Sequence, residues 1–326
     1  MPPEHNTESA APIFIVGCGR SGTTMLRLML DSHPDLAIPG ESHFIVNKYR
    51  RQQRYSVDGR FDSDVLLKQI TASSHFKRWE IPADLVFERA GGAKLLGFAD
   101  TIAHLFKVYA LVHGKTRWGD KTPMYVRSIN LLAELFPTAL FVHIIRDGHN
   151  VALSYLSVPW GPRSIWEVAR KWKVDVGAGI KAGRRLGPSR YMELRYEDLV
   201  SDPEVELKGI CHFAGLEFIP SMLDFYQDAA GRLQTPYEDF HQSATRAPER
   251  GMRDWMTQMS DADVLAFEAV AGRLLSELGY IRRFKSIPIA KLTKAKAQEV
   301  KLSTQVAGSR FWRAVQVSRA SQSPLE

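Results

Sequence analysis

Between Gly17 and Thr24 the chain reads GCGRSGTT, with glycines at 17, 19 and 22, hydroxyls at 21, 23 and 24, and a cation at Arg20. These residue types at this spacing suit an anion. Glycine lets backbone N–H groups approach a ligand with no Cβ in the way. A helix starting at Thr23 would aim its unbonded N–H groups and the positive end of its dipole at the same point. The flanks fit such a cradle. Residues 13–16 are apolar and rich in β-branched residues, as in a buried parallel strand, and residues 23–30 carry Met25, Leu26, Met29 and Leu30 on one helical face. Gly17 and Gly22 have the spacing of the P-loop, GxxxxGK[ST], but Thr23 stands where that motif has lysine. That lysine reaches the β- and γ-phosphates of ATP, so its absence argues against ordinary ATP chemistry.

Two further cations have a setting that points to chemistry. Arg146 ends the apolar run 139–145, which reads as a second buried strand. Ligands of parallel sheets bind at the carboxyl ends of strands, and a guanidinium fork there suits a phosphate. A salt bridge to Asp147 is the alternative. Lys121 lies in Trp118-Gly-Asp-Lys-Thr-Pro123, read as a polar turn, and is either a second cation of the site or a solvated lysine.

The elements that must position these groups follow in order. The first helix stops at Ser32-His33-Pro34, since proline biases the residue before it out of the helical region. Residues 41–54 begin a second helix with Ile45 and Tyr49 on one face. Residues 62–71 and 82–90 form short helices, and 101–112 a stronger one with an apolar stripe at Ile102, Leu105, Phe106, Tyr109 and Val112. This middle region shows little strand character and is expected to cover the sheet and shape an acceptor cleft. Helices follow at 126–135, broken by Phe136-Pro137, and at 150–156 with Ser154 in the interior. A long basic helix at 165–186 leads to a short strand at 191–194. Pro203 begins a helix to about Gly215, and Ser260 precedes one that stops at Gly279. Residues 231–255 are irregular and basic around Arg246, Arg250 and Arg253. Strands separated by helices indicate an α/β fold, a parallel β-sheet flanked by helices.

The chain has 326 residues with 44% hydrophobic and 24% charged, ordinary for a soluble protein, and no apolar run approaches the roughly 20 residues of a membrane span. The formal charge of +7 is unevenly placed: residues 281–326 hold five Lys, five Arg and two Glu, so the preceding 280 residues sum to −1. A neutral body argues against nucleic acid as its partner. A separate reading makes the chain a binding protein whose basic tail, with Phe311-Trp312-Arg313, Val315 and Val317, holds nucleic acid or an anionic membrane; the alternative is a disordered, solvated tail. Three regions are expected: a disordered 1–11, an α/β domain at 12–285 and the basic tail at 286–326. The two cysteines, Cys18 and Cys211, do not suggest a disulfide framework, and the start of the chain lacks the basic and apolar regions of a signal peptide, so a cytoplasmic protein is expected.

With these residues in hand, the chain resembles the sulfotransferases that use 3′-phosphoadenosine 5′-phosphosulfate (PAPS). GRSGTT at 19–24 resembles their 5′-phosphosulfate loop, RDGHNVALSY at 146–155 their 3′-phosphate motif, and LRYEDL at 194–199 the tract with an adenine-side tyrosine. GRSGTT together with SHP and Gly40-Glu41 is most similar to the protein-tyrosine and carbohydrate branches. The resemblance implies the P-loop-like sulfotransferase fold, PAPS as co-substrate, no metal, and a hydroxyl of a carbohydrate, lipid or small molecule as acceptor. It also implies residue roles. Gly19, Arg20, Ser21, Gly22, Thr23 and Thr24 would hold the 5′ side of the donor, and Arg146 and Ser154 its 3′-phosphate. Tyr196 would lie beside adenine, and Arg250 and Gly251 in the segment that closes over the 3′-phosphate. Arg20 and Lys121 would stabilise charge. Glu41 would be the catalytic base, with His43 in reserve; a helix-capping role is the alternative for Glu41. The tyrosine-sulfating enzymes carry a second arginine four residues after the motif serine, where this chain has Val158, and they are disulfide-bonded, membrane-anchored Golgi proteins. Both differences count against tyrosyl protein as the acceptor. The competing reading is a P-loop kinase, with 139–145 and Asp147 as its second nucleotide motif.

Overall fold

The computed structural model describes residues 11–93, 95–229, 246–249, 253–293 and 297. Two compact units are present, Met1–Arg146 with Asp175–Met252, and Asp147–Val174 with Arg253–Glu326.

The first unit opens with strand β1 Ile13–Gly17 and helix α1 Thr23–Asp31, followed by β2 Leu36–Ala37 and α2 Phe44–Tyr49. A small hairpin, β3 Ser56–Val57 and β4 Arg60–Phe61, leads into helices α3 Ser63–Thr71, α4 Ser74–Lys77, α5 Ala83–Ala90 and α6 Phe98–Val112. Then come β5 Arg117–Lys121, a 3₁₀ stretch Pro123–Ser128, α7 Ile129–Leu135 and β6 Leu140–Ile145. The second unit begins with α8 Gly148–Leu156 and continues into α9 Ile165–Leu186, whose residues are divided between the two units. Strand β7 Tyr191–Arg195, α10 Tyr196–Ser201 and α11 Pro203–Ala214 return to the first unit; α12 Trp255–Gln258 and α13 Asp261–Glu277 belong to the second.

Five strands form a parallel sheet in the order β2-β5-β1-β6-β7. Its register pairs Ile15 with Lys121, Gly17 with Ile144 and Ile145 with Arg195, so four strands end nearly abreast. Alternation along β1 divides the core. Phe14 and Val16 face one cluster, with Trp118, Phe141 and the α6 ring Phe106; Ile13 and Ile15 face another, with Met25, Leu26 and Met29 of α1 and Leu207 and Ile210 of α11. Phe106 stacks on Trp118 at 4.6 Å, and Trp79 lies 4.8 Å from Phe106.

Several sequence expectations are corrected here. Residues 118–121 are not a turn: Arg117–Lys121 is an interior strand, wholly buried. Arg117 offsets the cost of its burial through distant partners, donating to the carbonyls of Ala214 (2.8 Å) and Ala11 (2.9 Å). Helix α1 has no solvent-facing side; all nine of its residues are buried. Helix α2 begins only at Phe44, because His43 before it adopts a left-handed φ of 51°. Helix α6 starts earlier than its stripe, at Phe98, and the 126–135 segment is a 3₁₀ stretch before it is an α-helix. Helix α8 starts at Gly148, capped by Asp147, whose Oδ1 accepts from the His149 N–H at 2.8 Å.

Among the described residues, no helix is long and apolar enough to cross a membrane. Both cysteines are buried thiols.

Candidate active site

The loop between β1 and α1 is shaped by close packing. A Cβ on Gly17 would lie 2.6 Å from the Ile144 carbonyl oxygen. Gly22 has a φ of 91° and caps α1, and a Cβ there would lie 2.4 Å from Cδ2 of Tyr196. Arg20 also holds a left-handed φ, 68°, which is uncommon for a residue with a side chain. No side chain caps α1, so its first-turn N–H groups have none of the side-chain acceptors that usually serve there. Ser21 is fully buried, and its Oγ has no hydrogen-bond partner among the described residues. A buried hydroxyl without a partner, beside an uncapped helix start, fits an anionic group and is costly without one.

Arg146 follows the last residue of β6 and packs its guanidinium over the Tyr196 ring, 4.2 Å from the ring centre. It also donates to the Arg20 carbonyl at 3.3 Å. The ring of Tyr196 therefore meets both the loop glycine and the strand-end cation, so it is not merely core. Asp147, the alternative partner for Arg146, directs its carboxylate within the second unit, to His149 Nδ1 at 2.9 Å and Trp255 Nε1 at 3.0 Å.

At the end of β5, Lys121 is buried rather than solvated. Its Nζ donates to Glu41 Oε1 at 2.6 Å and to Thr24 Oγ1 at 3.3 Å. One ammonium thus joins the carboxylate to the first turn of α1. The other carboxylate oxygen of Glu41, Oε2, lies 2.7 Å from His43 Nε2. Burial alone would raise the Glu41 pKa, but Lys121 and His43 outweigh it and hold the carboxyl well below the usual range. Burial also lowers the Lys121 pKa, against the pull of Glu41. The capping alternative for Glu41 fails: His43 occupies the cap of α2, and no side-chain cap bond forms there.

The turn that carries Glu41 is fastened from both sides. The Ser42 N–H donates to Thr122 Oγ1 at 3.1 Å, Ser42 Oγ lies 3.0 Å from the Tyr125 hydroxyl, and that hydroxyl accepts from the Ile45 N–H at 3.0 Å. Trp79 Nε1 donates to the Gly40 carbonyl at 3.0 Å. The sequence reading missed all of these residues and Asp120. The side chain of Asp120 is buried beside Ser42 and Thr122 with neither oxygen in a well-formed hydrogen bond, and burial pushes its carboxyl up to about 6. The only sequence signal was the crowding of Asp120, Lys121, Thr122 and Tyr125 into one short stretch.

The structure therefore brings together Gly19 to Thr24, Glu41, His43, Lys121, Arg146 and Tyr196 at the carboxyl edge of one sheet, within the first unit. Ser154 is buried on α8, in the second unit. Arg250 and Gly251, and nearly all of the basic tail, lie outside the described residues. Also among the described residues, no group of three or more His, Cys, Asp and Glu is placed to hold a metal ion.

Comparison with known proteins gives the following. A model of the Sulfotransferase family matches residues 12–220. A protein-tyrosine sulfotransferase of Drosophila melanogaster is 26% identical over 279 residues, covering 82% of this chain and 51% of its own. The nodulation protein NoeE of Sinorhizobium fredii is 26% identical over 296 residues, covering 82% of this chain and 65% of its own. This chain thus spans about half to two thirds of the length of these relatives. Among solved structures, the sulfotransferase domain of the olefin synthase from Synechococcus PCC 7002 superposes with a TM-score of 0.58 at 23% identity, over 86% of this chain and 98% of that one. That likeness concerns the fold.

Proposed function

The chain belongs to the sulfotransferase family, and on that premise we propose that it moves a sulfuryl group from PAPS to a hydroxyl of a carbohydrate, lipid or small molecule. The observation that carries this reading is the buried, unpartnered Ser21 hydroxyl at the uncapped start of α1, with Arg20 beside it in the loop. The donor would supply an activated sulfuryl group on a phosphate leaving group. Arg20, the first-turn N–H groups and the hydroxyls of Ser21, Thr23 and Thr24 would hold its 5′ side, where Gly19 and Gly22 allow close backbone approach. Arg146 would hold the 3′-phosphate through its forked donors, and Tyr196, already stacked beneath it, would border the adenine. By the family resemblance, Ser154, Arg250 and Gly251 would also belong to the donor site.

Glu41 is the proposed base. Its carboxylate is ionised at neutral pH, and its turn is fastened through Ser42 and Gly40, so it can receive the acceptor's proton from a fixed position. Lys121 and Arg20 offset negative charge that builds up during transfer. His43 orients Glu41 through its 2.7 Å contact and is the reserve base. Peripheral contact of the basic tail with an anionic membrane surface belongs to the same proposal and is supported by the charge of residues 281–326.

The test is to incubate the full chain with PAPS and fractionated cell extract, and to search by mass spectrometry for products heavier by one SO3. Such products are expected with the wild type and not with Glu41→Ala. Phosphorylated products formed from ATP instead would overturn the reading.

A further inference from the structure

The base and the cation of this site are tied to each other. Lys121 Nζ is bonded to Glu41 Oε1 at 2.6 Å and lies 3.3 Å from Thr24 Oγ1, on the turn where an anion would sit. Its side chain is 4% exposed, so the ammonium depends on the counter-charges within its reach. A carboxylate gripped in this way is a weak base: the same contact that keeps Glu41 ionised lowers its appetite for a proton. A general base works best with a pKa near the operating pH, so the chain as it stands leaves Glu41 ionised but too weakly basic for its proposed task.

We propose that Lys121 is shared between Glu41 and the sulfonucleotide, so that an anion on the β1–α1 loop draws the ammonium away from Glu41 and thereby strengthens the base. This rests on the PAPS reading and adds a coupling to it: the acceptor's hydroxyl meets a competent base only when the donor is in place. The proton balance is simple. The acceptor O–H bond breaks as its oxygen bonds to sulfur, the proton goes to the Glu41 carboxylate, and the leaving phosphate departs with the S–O bond pair. The charges facing Lys121 are Glu41, Asp120 on its own strand and Arg27 on α1, so removing Glu41 leaves Asp120 and a loop anion to balance the ammonium.

Coupling of this kind is reciprocal: if the nucleotide weakens the Lys121–Glu41 pair, the pair weakens nucleotide binding by the same factor. The test is a calorimetric titration of the full chain with adenosine 3′,5′-bisphosphate. Glu41→Gln, isosteric but uncharged, is expected to tighten binding roughly 3- to 10-fold, and to do so only while Lys121 is present. In a Lys121→Met background the same change should have no effect. Glu41→Asp keeps the charge but shortens the reach to Lys121, and it too should tighten binding. This variant decides the matter without replacing the lysine. Tightening by Glu41→Gln but not by Glu41→Asp, or equal tightening without Lys121, would mean general charge repulsion and would overturn the sharing. Unchanged or weaker binding by Glu41→Gln would overturn it as well. A wild type that binds no bisphosphate at all would instead bring down the PAPS reading, and this proposal with it.

Discussion

Replacing Gly22 by alanine would strike the point where the loop, helix α1 and the Tyr196 ring meet. The backbone there sits at a φ of 91°, where an L-residue with a side chain is strained by roughly 1–2 kcal/mol. The new methyl would lie 2.4 Å from Cδ2 and 2.7 Å from Cε2 of Tyr196. That ring cannot swing away cheaply, because the Arg146 guanidinium is stacked 4.2 Å from its centre. Overpacking of this kind costs about 1–3 kcal/mol more. The loop can relieve both strains by giving up its present shape, and the cost then appears as lost nucleotide affinity. A sum of about 2–5 kcal/mol corresponds to roughly 30- to 5,000-fold weaker binding of adenosine 3′,5′-bisphosphate, or to an equivalent loss of stability if the loop holds. Calorimetric titration and thermal melting together capture the whole sum. Gly114 is the control: its φ is 67°, but a Cβ there would meet nothing within 4 Å. Gly114→Ala should therefore show the backbone cost alone, with affinity unchanged. If Gly22→Ala binds and melts like Gly114→Ala, the close packing of loop on ring has no energetic meaning, and the reasoning fails.

Other variants probe the remaining groups. Glu41→Gln should lower turnover by roughly 10²- to 10⁴-fold in assays run below its melting transition, which shifts down because Lys121 loses its counter-charge; near-wild-type turnover would remove Glu41 as the base. Arg146→Lys keeps the charge but loses the fork and the flat stacking surface, and should weaken the bisphosphate by about 10- to 100-fold in titration; equal affinity would assign the 3′-phosphate elsewhere. Asp120 gives a pH signature. With its pKa raised from 3.8 to about 6, the folded chain binds more protons than the unfolded chain between those values, so this group makes stability fall as pH rises through that window. Above it the ionised form costs on the order of 3 kcal/mol. Asp120→Asn should thus raise the melting temperature at pH 8 and lose that advantage towards pH 4; a uniform drop at every pH would contradict the buried-carboxyl account.

How much of this was legible beforehand depended on whether the signal was local. The β1 strand, its glycine loop and α1 are encoded in twenty consecutive residues whose types have few other uses together, and β6 announced itself by its apolar run. Strand β5 did not. Arg-Trp-Gly-Asp-Lys has no β-branched residue and three charges, and its burial is possible only because Arg117 meets carbonyls near residues 11 and 214 and Lys121 meets Glu41. Those partners lie 80 or more positions away, beyond any sequence window. The same holds for Arg146 and Tyr196, each visible alone but not as a stacked pair. The start of α2 was misread because a left-handed His43 leaves no mark in the sequence. The hydroxyls of Ser42, Thr122 and Tyr125 looked like ordinary polar residues until the fold drew them under the turn of Glu41.

The most direct measurement is a thermal shift of the wild type with adenosine 3′,5′-bisphosphate in the absence of magnesium, run beside ATP with magnesium. A ligand present at about 100 times its dissociation constant stabilises by about 2.7 kcal/mol, a displacement easily seen. The bisphosphate should produce it and ATP should not. Stabilisation by magnesium-ATP with none from the bisphosphate would contradict the assignment of the loop around Ser21 to a sulfonucleotide.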